Sequence, residues 1–223
     1  NYHSKKGGSY DILINANGNS RRFWANEHPF DDFQASTESV YKTLLDFTFK
    51  KYVYISSPDV YIDHARPVTT KEHMAVPGSR DPYGLHKYLS EQLVANHARS
   101  YIILRPGALL GNGLKKGPVF DILEGRALLV TRSSYIQFIT TEAVGECLSA
   151  LIKANANNEI FNVAGRGHTT VARLAEIIGK KPRFAPRAAV QCYEMNVRKV
   201  APFFAPKTSD EYVADYLSGK GVE

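Results

Sequence analysis

Tyr83 and Lys87 stand four residues apart in "DPYGLHKYLSEQL", a spacing that puts a phenol and an ammonium one turn apart on one helix face. A cation beside a phenol favours the phenolate, so such a pair can exchange a proton with a substrate hydroxyl or carbonyl near neutral pH. Spacing alone is weak evidence: with 13 Tyr and 15 Lys among 223 residues, about one such pair arises by chance. Three are present: Tyr2 with Lys6, Tyr83 with Lys87, and Tyr216 with Lys220. The first lies in a terminal stretch rich in Gly and Lys and the third straddles a helix end, so neither has a strand beside it. Only Tyr83 follows a β-rich run, "KYVYISS", which ends at Ser56 and Ser57. From that strand exit Ser57 could hydrogen-bond the substrate oxygen that Tyr83 protonates, while Lys87 holds the phenolate. An ordinary amphipathic helix, its Tyr packed and its Lys snorkelling, has the same spacing, and spacing leaves both readings open.

The elements that must position these groups alternate. β-rich runs occupy residues 10–16 ("YDILINA"), 51–57, 101–105 ("YIILR") and 159–163 ("EIFNV"), and helix-like runs occupy 30–47, 83–98, 141–154 and 170–179. Alternation of this kind predicts crossover units and a mostly parallel sheet, whose strand ends are where ligands bind. Asp31 and Asp32, just after Pro29, read as a capping pair that complements the helix dipole rather than as acid/base carboxylates. Thr69 and Glu72 have capping-box spacing, and Gly179 reads as a helix stop. Pro182, Pro186, Pro202 and Pro206 loosen the pattern before a last helix at 209–217. The expected organisation is an α/β core over 1–165, with an insertion at 107–135, and a small C-terminal lobe over 166–223.

Composition narrows the function classes. The chain is 43% hydrophobic and 22% charged, as globular proteins are, which argues against a disordered or fibrous protein. A formal charge of +6 suits a phosphate-bearing ligand. The Lys doublets at 5–6, 50–51, 115–116 and 180–181 are dispersed, so nucleic acid is not expected as a partner. Cys147 and Cys192 lack a second ligand at metal spacing, which points away from zinc and disulfides and toward a reducing cytoplasm. Apolar runs near 101–104 and 127–130 are far shorter than the ~20 residues a membrane span needs.

"YISSPDVY", "DPYGLHKYLSEQL", "YIILRPGALLG" and "NEIFNVAG", in this order, resemble the extended short-chain dehydrogenase/reductase family, the NAD(P)-dependent nucleotide-sugar epimerases, dehydratases and reductases. The likeness runs over residues 10–179 and includes "YDILINANGNS" and "QFITTEAV". It implies a Rossmann-like doubly wound parallel sheet with a small C-terminal substrate lobe. It also implies Tyr83 as general acid/base, Lys87 as its partner and ribose ligand, and Ser57 as the ligand of the substrate oxygen. Asn15, Ala16, Ser56, Pro106 and Gly107 would line the cleft for NAD or NADP. The implied substrate is a nucleotide sugar or similar polar carbonyl compound, and the implied assembly is a homodimer through the helices at 30–47 and 83–98.

The sequence departs from that family in several places. The family's opening G-x-x-G-x-x-G turn, which cradles the cofactor pyrophosphate at a helix N-terminus, is not in these residues. "GNGLKKG" at 111–117 follows the wrong strand and reads instead as a substrate-facing loop, with Lys115 and Lys116 near a phosphate. The strand at 10–16 corresponds to the family's fourth, so the first three are expected from a segment preceding this chain or, second, from a partner. Family dehydratases carry an acidic pair where Pro58 and Asp59 stand, so elimination of water is disfavoured, and Asp59 is either a second acid/base or a turn cap. Ala108 and Ser36 replace polar Asn residues of the family. Two readings stand: an epimerase or reductase using Ser57, Tyr83 and Lys87, and a cofactor-deficient relative acting as a regulatory or binding protein.

The cofactor reading generates a first prediction. Calorimetric titration of the isolated 223-residue chain with NAD or NADP should show weak binding or none, because Lys87 cannot replace a ring of oriented amides around a pyrophosphate. Tight binding would contradict this and direct attention to "GNGLKKG".

Overall fold

The computed structural model describes residues 2–76, 78 and 80–219. In chain order its elements begin with α1 (Tyr2–Lys5), β1 (Ser9–Asn15), α2 (Arg22–Glu27), α3 (Pro29–Phe33), a π-turn at Gln34–Glu38, α4 (Ser39–Asp46) and β2 (Thr48–Ile55). Short 3₁₀ turns at Pro58–Val60 and Glu72–Met74 lead to α5 (Pro82–His97), β3 (Tyr101–Pro106), β4 (Ala108–Leu110), α6 (Pro118–Leu123), β5 (Ala127–Val130), β6 (Tyr135–Ile136) and β7 (Phe138–Thr140). Then come α7 (Thr141–Lys153), β8 (Glu159–Val163), β9 (Thr169–Thr170), α8 (Val171–Ile178), β10 (Arg183–Ala189) and α9 (Ser209–Gly219). These gather into two compact units, the first from Asn1–Ile62, Glu72–Arg105 and Lys153–Phe161, the second from Asp63–Lys71, Pro106–Ile152 and Asn162–Glu223.

In the first unit the strand order is β1-β2-β3-β8, with β1–β2 and β2–β3 paired in parallel as the alternation predicts. Tyr52, Val53 and Tyr54 on β2 and Ile102, Ile103 and Leu104 on β3 are fully buried, which marks these two as interior strands. Val40 and Leu44 of α4 and Val94 of α5 pack on Tyr52, Tyr54 and Ile103, each apolar side chain contributing about 1.5–3 kcal/mol by leaving water. Register sets Asn15 opposite Tyr54 and Ile55 opposite Leu104, so the three strands end together, and Ser56 and Ser57 emerge at that end.

Helix α5 begins where its sequence says it should. Asp81 is its N-cap, accepting from the Gly84 N–H at 2.8 Å, and Pro82 follows at the first helical position. Gly84 is required for a second reason: a Cβ there would collide with the Asp59 carbonyl oxygen, so its absence lets α5 lie against the Pro58–Val60 turn.

Two local expectations are corrected. The expected helix at 30–47 is interrupted by the π-turn, after which the Ser39 hydroxyl donates back to the Ala35 and Ser36 carbonyls at 2.7 and 3.0 Å. Extra backbone in one turn is what an i→i+5 ladder inserts, and side-chain back-bonding accompanies it. Thr69 donates to the Arg66 carbonyl at 2.9 Å and so closes a turn instead of forming a capping box.

The second unit pairs β4 with β7 and β5 with β10 in parallel and β6 with β9 antiparallel. Leu110, Leu128, Phe138, Leu174 and Val213 belong to its core. Thr170 caps α8 by accepting from the Arg173 N–H at 3.1 Å, and Gly179, at φ 71°, ends it as expected.

One buried ion pair ties the first unit's helix to its sheet. Arg105, 1% exposed at the end of β3, donates from Nε and Nη2 to both Glu91 oxygens at 2.8 and 2.6 Å, and from Nη1 to the Tyr61 hydroxyl at 2.7 Å. Ser56 donates to the same carboxylate at 2.5 Å. Glu91→Ala should therefore cost about 3–5 kcal/mol in urea unfolding, because it leaves a guanidinium buried without its counter-charge. Glu91→Leu combined with Arg105→Met should cost less than that single change. A loss under about 1 kcal/mol for Glu91→Ala would mean that water reaches the pair.

Candidate active site

Ser57, 5% exposed, sits in extended backbone (φ −151°, ψ 154°) as the N-cap of the Pro58–Val60 turn. Its Oγ accepts from the Asp59 N–H at 3.2 Å and donates to Asp59 Oδ2 at 2.8 Å. The first turn of α5 carries Tyr83, whose backbone N–H donates to Asn26 Oδ1 at 3.3 Å. One turn on, the Lys87 ammonium donates to the Ile55 carbonyl at 3.3 Å and stands 5.2 Å from the centre of the Tyr54 ring. The strand exit of β2 and one face of α5 thus bring Ser57, Tyr83 and Lys87 to the carboxyl ends of the strands.

The electrostatics are those of a desolvated site. Burial first, then the charges of Asp59, Asp32 and Asp81, push the Tyr83 phenol well above its ordinary value, with Ser57 pulling the other way. Burial lowers Lys87 to about 8, against the opposing pull of Asp32, Glu91 and Asp59. At neutral pH the resting site therefore holds a protonated phenol and an ammonium.

The other expected residues fall as follows. Asn15 is 4% exposed, and its amide donates to Thr43 Oγ1 and the Tyr52 hydroxyl at 2.9 and 2.7 Å, while its Oδ1 accepts from the Asn17 N–H at 2.8 Å. Ala16 is exposed at the end of β1. Ser56 is committed to Glu91, so it and Asn15 can reach a ligand chiefly through their backbones. Pro106 and Gly107 lie in the second unit, where the Gly107 N–H donates to the Val163 carbonyl at 3.0 Å and a Cβ would come within 2.5 Å of the Gln137 carbonyl. Tyr2 and Lys6 both bind Asp46, Lys6 at 3.1 Å; Tyr216 belongs to the second unit's core, and Lys220 lies outside the described residues.

Several site residues escaped the sequence reading. Arg22 reaches Asp59 at 3.3 Å and Asp81 at 2.6 Å, holding α2 over the start of α5. Asp32 does not cap α3: it is fully buried, and the His86 Nδ1–H donates to it at 2.6 Å. Glu91 had a usable signal, since it continues the four-residue spacing of Tyr83 and Lys87; Arg22 and Asp32 had none, because their partners are distant in sequence. Beside the site an open concavity of about 430 Å³ is lined by Asn17, Gly18, Asn19, Arg21, Trp24 and Ser39.

A parallel α/β sheet that brings these side chains to its strand ends is a Rossmann-like fold. Residues 4–164 match the model of the NAD-dependent epimerase/dehydratase family, and the chain belongs to that family. Among solved structures it is similar to a UDP-galactose 4-epimerase, with 20% identity over 96% of this chain and 79% of the other, and a TM-score of 0.75. It is also similar to the UDP-glucuronic acid 4-epimerase of Bacillus cereus, bound to UDP-glucuronic acid and NAD, with 16% identity over 94% and 76% and a TM-score of 0.74. The dTDP-4-dehydrorhamnose reductase of Bacillus anthracis, in complex with NADP, gives 16% identity over 94% and 80% and a TM-score of 0.73. At these identities the likeness establishes the fold. No curated protein sequence matches the chain.

Burial of Lys87 makes stability depend on pH with a definite sign. Between pH 8 and the unfolded value of 10.5 the folded protein has released a proton that the unfolded chain retains, so Lys87 makes stability rise with pH in that window. The unfolding free energy of the wild type relative to Lys87→Met should rise across it by on the order of 3 kcal/mol, measured by urea titration at stepped pH. A difference that stays constant would show that the ammonium is hydrated.

Proposed function

We propose that this protein is an NAD(P)-dependent epimerase or reductase acting on a nucleotide sugar. The observation that carries the reading is the placement of Ser57 at a strand exit and of Tyr83 and Lys87 one turn apart on the helix that follows, with the Lys87 ammonium on the Ile55 carbonyl at that strand end, in a chain of this family. The nucleotide-sugar enzymes of the same fold support the substrate class, and the excess of basic residues suits its phosphates.

The residues present fit a nicotinamide cofactor. Gly18, at φ 120°, leaves the space beside the Lys87 ammonium free of a side chain, and the Asn17, Asn19, Arg21 and Ser39 donors line the concavity next to it. Lys87, with the backbone of Asn15, Ala16 and Ser56, would hold the ribose and nicotinamide end, and the cofactor would exchange a hydride with the sugar carbon. Tyr83 gives a proton to the substrate oxygen, or takes it in the reverse direction. Ser57 hydrogen-bonds the same oxygen and fixes its distance from the phenol. Lys87 stabilises the phenolate left behind, which matters here because burial and Asp59 make that anion costly.

The test uses the protein at its natural length, assayed with nucleotide sugars and both cofactors. Tyr83→Phe keeps the ring and removes the proton, so turnover should fall ~10² to 10⁴-fold with the fold intact by circular dichroism. Lys87→Met should fall further and also raise the KM for the cofactor, because it strips a ribose contact as well as the charge that holds the phenolate, whereas Tyr83→Phe should leave that KM near the wild-type value. Equal losses in both variants with the cofactor KM unchanged would make the pair structural and favour a binding protein that has kept the fold.

A further inference from the structure

Asp32 is a fully buried carboxylate that the proposed chemistry does not use. Such a group is retained only when something charged or hydrogen-bonding meets it. One side is accounted for by the His86 Nδ1–H at 2.6 Å; His86 precedes Lys87 on α5. On the other side the Ser36 hydroxyl lies 3.5 Å from Asp32 Oδ1, turned inward by the π-turn that interrupts the helix there. π-turns of this kind occur often at functional sites.

Gly18 shows where that side leads. A Cβ on Gly18 would come 3.1 Å from Ser36 Oγ and 3.2 Å from Lys87 Nζ, so the hydroxyl and the ammonium face the same point. Carboxylate, hydroxyl and ammonium thus follow one another inward from α3 to α5.

Three carboxylates act on Lys87: Asp32 from α3, Glu91 from its own helix, and Asp59 from the Pro58–Val60 turn; the Tyr83 phenol shares its helix, and the Tyr54 ring faces it from β2. Two of the three already have strong cations. Glu91 is held by both arms of the Arg105 guanidinium, and Asp59 has Arg22 at 3.3 Å. The charged-group partner of Asp32 is a histidine ring. Its other neighbour is the Ser36 hydroxyl, which lies on the side that leads to Lys87.

We propose that Asp32, clamped by His86, is the positioning counter-charge that keeps Lys87 an ammonium beside Tyr83. The use of that ammonium in turnover rests on the enzymatic reading above; its dependence on Asp32 does not. The carboxylate opposes the burial that lowers Lys87 and heads the groups that do so.

The full chain, labelled with ¹³C at lysine Cε, is titrated by NMR without substrate or cofactor, with Lys87→Met identifying the resonance. The wild-type midpoint should lie near 8. In Asp32→Asn it should fall by about one pH unit, the low end of what a nearby opposite charge contributes. In His86→Gln, which preserves the carboxylate and offers it an amide donor, it should stay near the wild-type value. An unchanged midpoint in Asp32→Asn, or equal falls in both variants, would overturn the proposal, the second by showing that packing and not charge is responsible. Should Asp32→Asn not fold, Asp32→Leu with His86→Leu and Ser36→Ala removes the carboxylate together with both side chains that meet it; an unchanged midpoint there overturns the proposal equally. At natural length with substrate, the alkaline fall of kcat/KM should move down with the midpoint. Absence of any turnover would sink the enzymatic reading while leaving the NMR result standing.

Discussion

An ammonium held out of water beside a buried phenol is the constraint on which the first unit of this protein depends. Lys87 can be there only because the end of β2 gives it a carbonyl at Ile55 and an aromatic face at Tyr54. α5 can present it there only because Gly84 lets the helix lie against the Asp59 backbone. The Glu91–Arg105 pair, one turn further along, fastens the same helix to the end of β3 and to Ser56. Removing the ammonium would leave these devices without a shared purpose.

Magnitudes decide the state in which the site rests. Desolvation outweighs the three carboxylates around Lys87, so its affinity for a proton falls, yet at about 8 it still holds that proton at neutral pH. For Tyr83 burial and the neighbouring acids act in the same direction, and the phenol stays protonated. Under the proposed function such a pair would wait loaded with a proton to give to an oxygen that gains negative charge when hydride reaches the adjacent carbon. Running the other way requires the ammonium to hold a phenolate in place of water, and its counter-charges decide how well it can.

Much of this was legible in the sequence because it is local. Strand patterns at "YDILINA", "KYVYISS", "YIILR" and "EIFNV" reappear as β1, β2, β3 and β8, and the helix expected at 83–98 reappears as α5, displaced by one residue at each end. The Tyr83–Lys87 spacing and the strand-exit Ser57 could be read for the same reason. Asp32 could not: its partner His86 is 54 positions away, and its place in the first turn of α3 has a local explanation that accounts for the position but not for the burial. The π-turn, which buries Ser36 and Thr37, was equally hidden, since periodicity over residues 30–47 suggests a continuous helix. The short strands β4 to β7, β9 and β10 have too few residues each to establish a period of two, so the second unit was the less readable.

The central claim is that Tyr83 moves a proton while a hydride leaves a carbon of a nucleotide sugar. The most direct measurement supplies the natural-length protein with a UDP- or dTDP-sugar deuterated on its ring carbons together with NAD or NADP, quenches the mixture during reaction and weighs the nicotinamide by mass spectrometry. The account predicts deuterium on the nicotinamide ring with the wild type and a large loss of that label with Tyr83→Phe. A sugar that binds yet returns with all its deuterium, beside unlabelled nicotinamide from either cofactor, would contradict it.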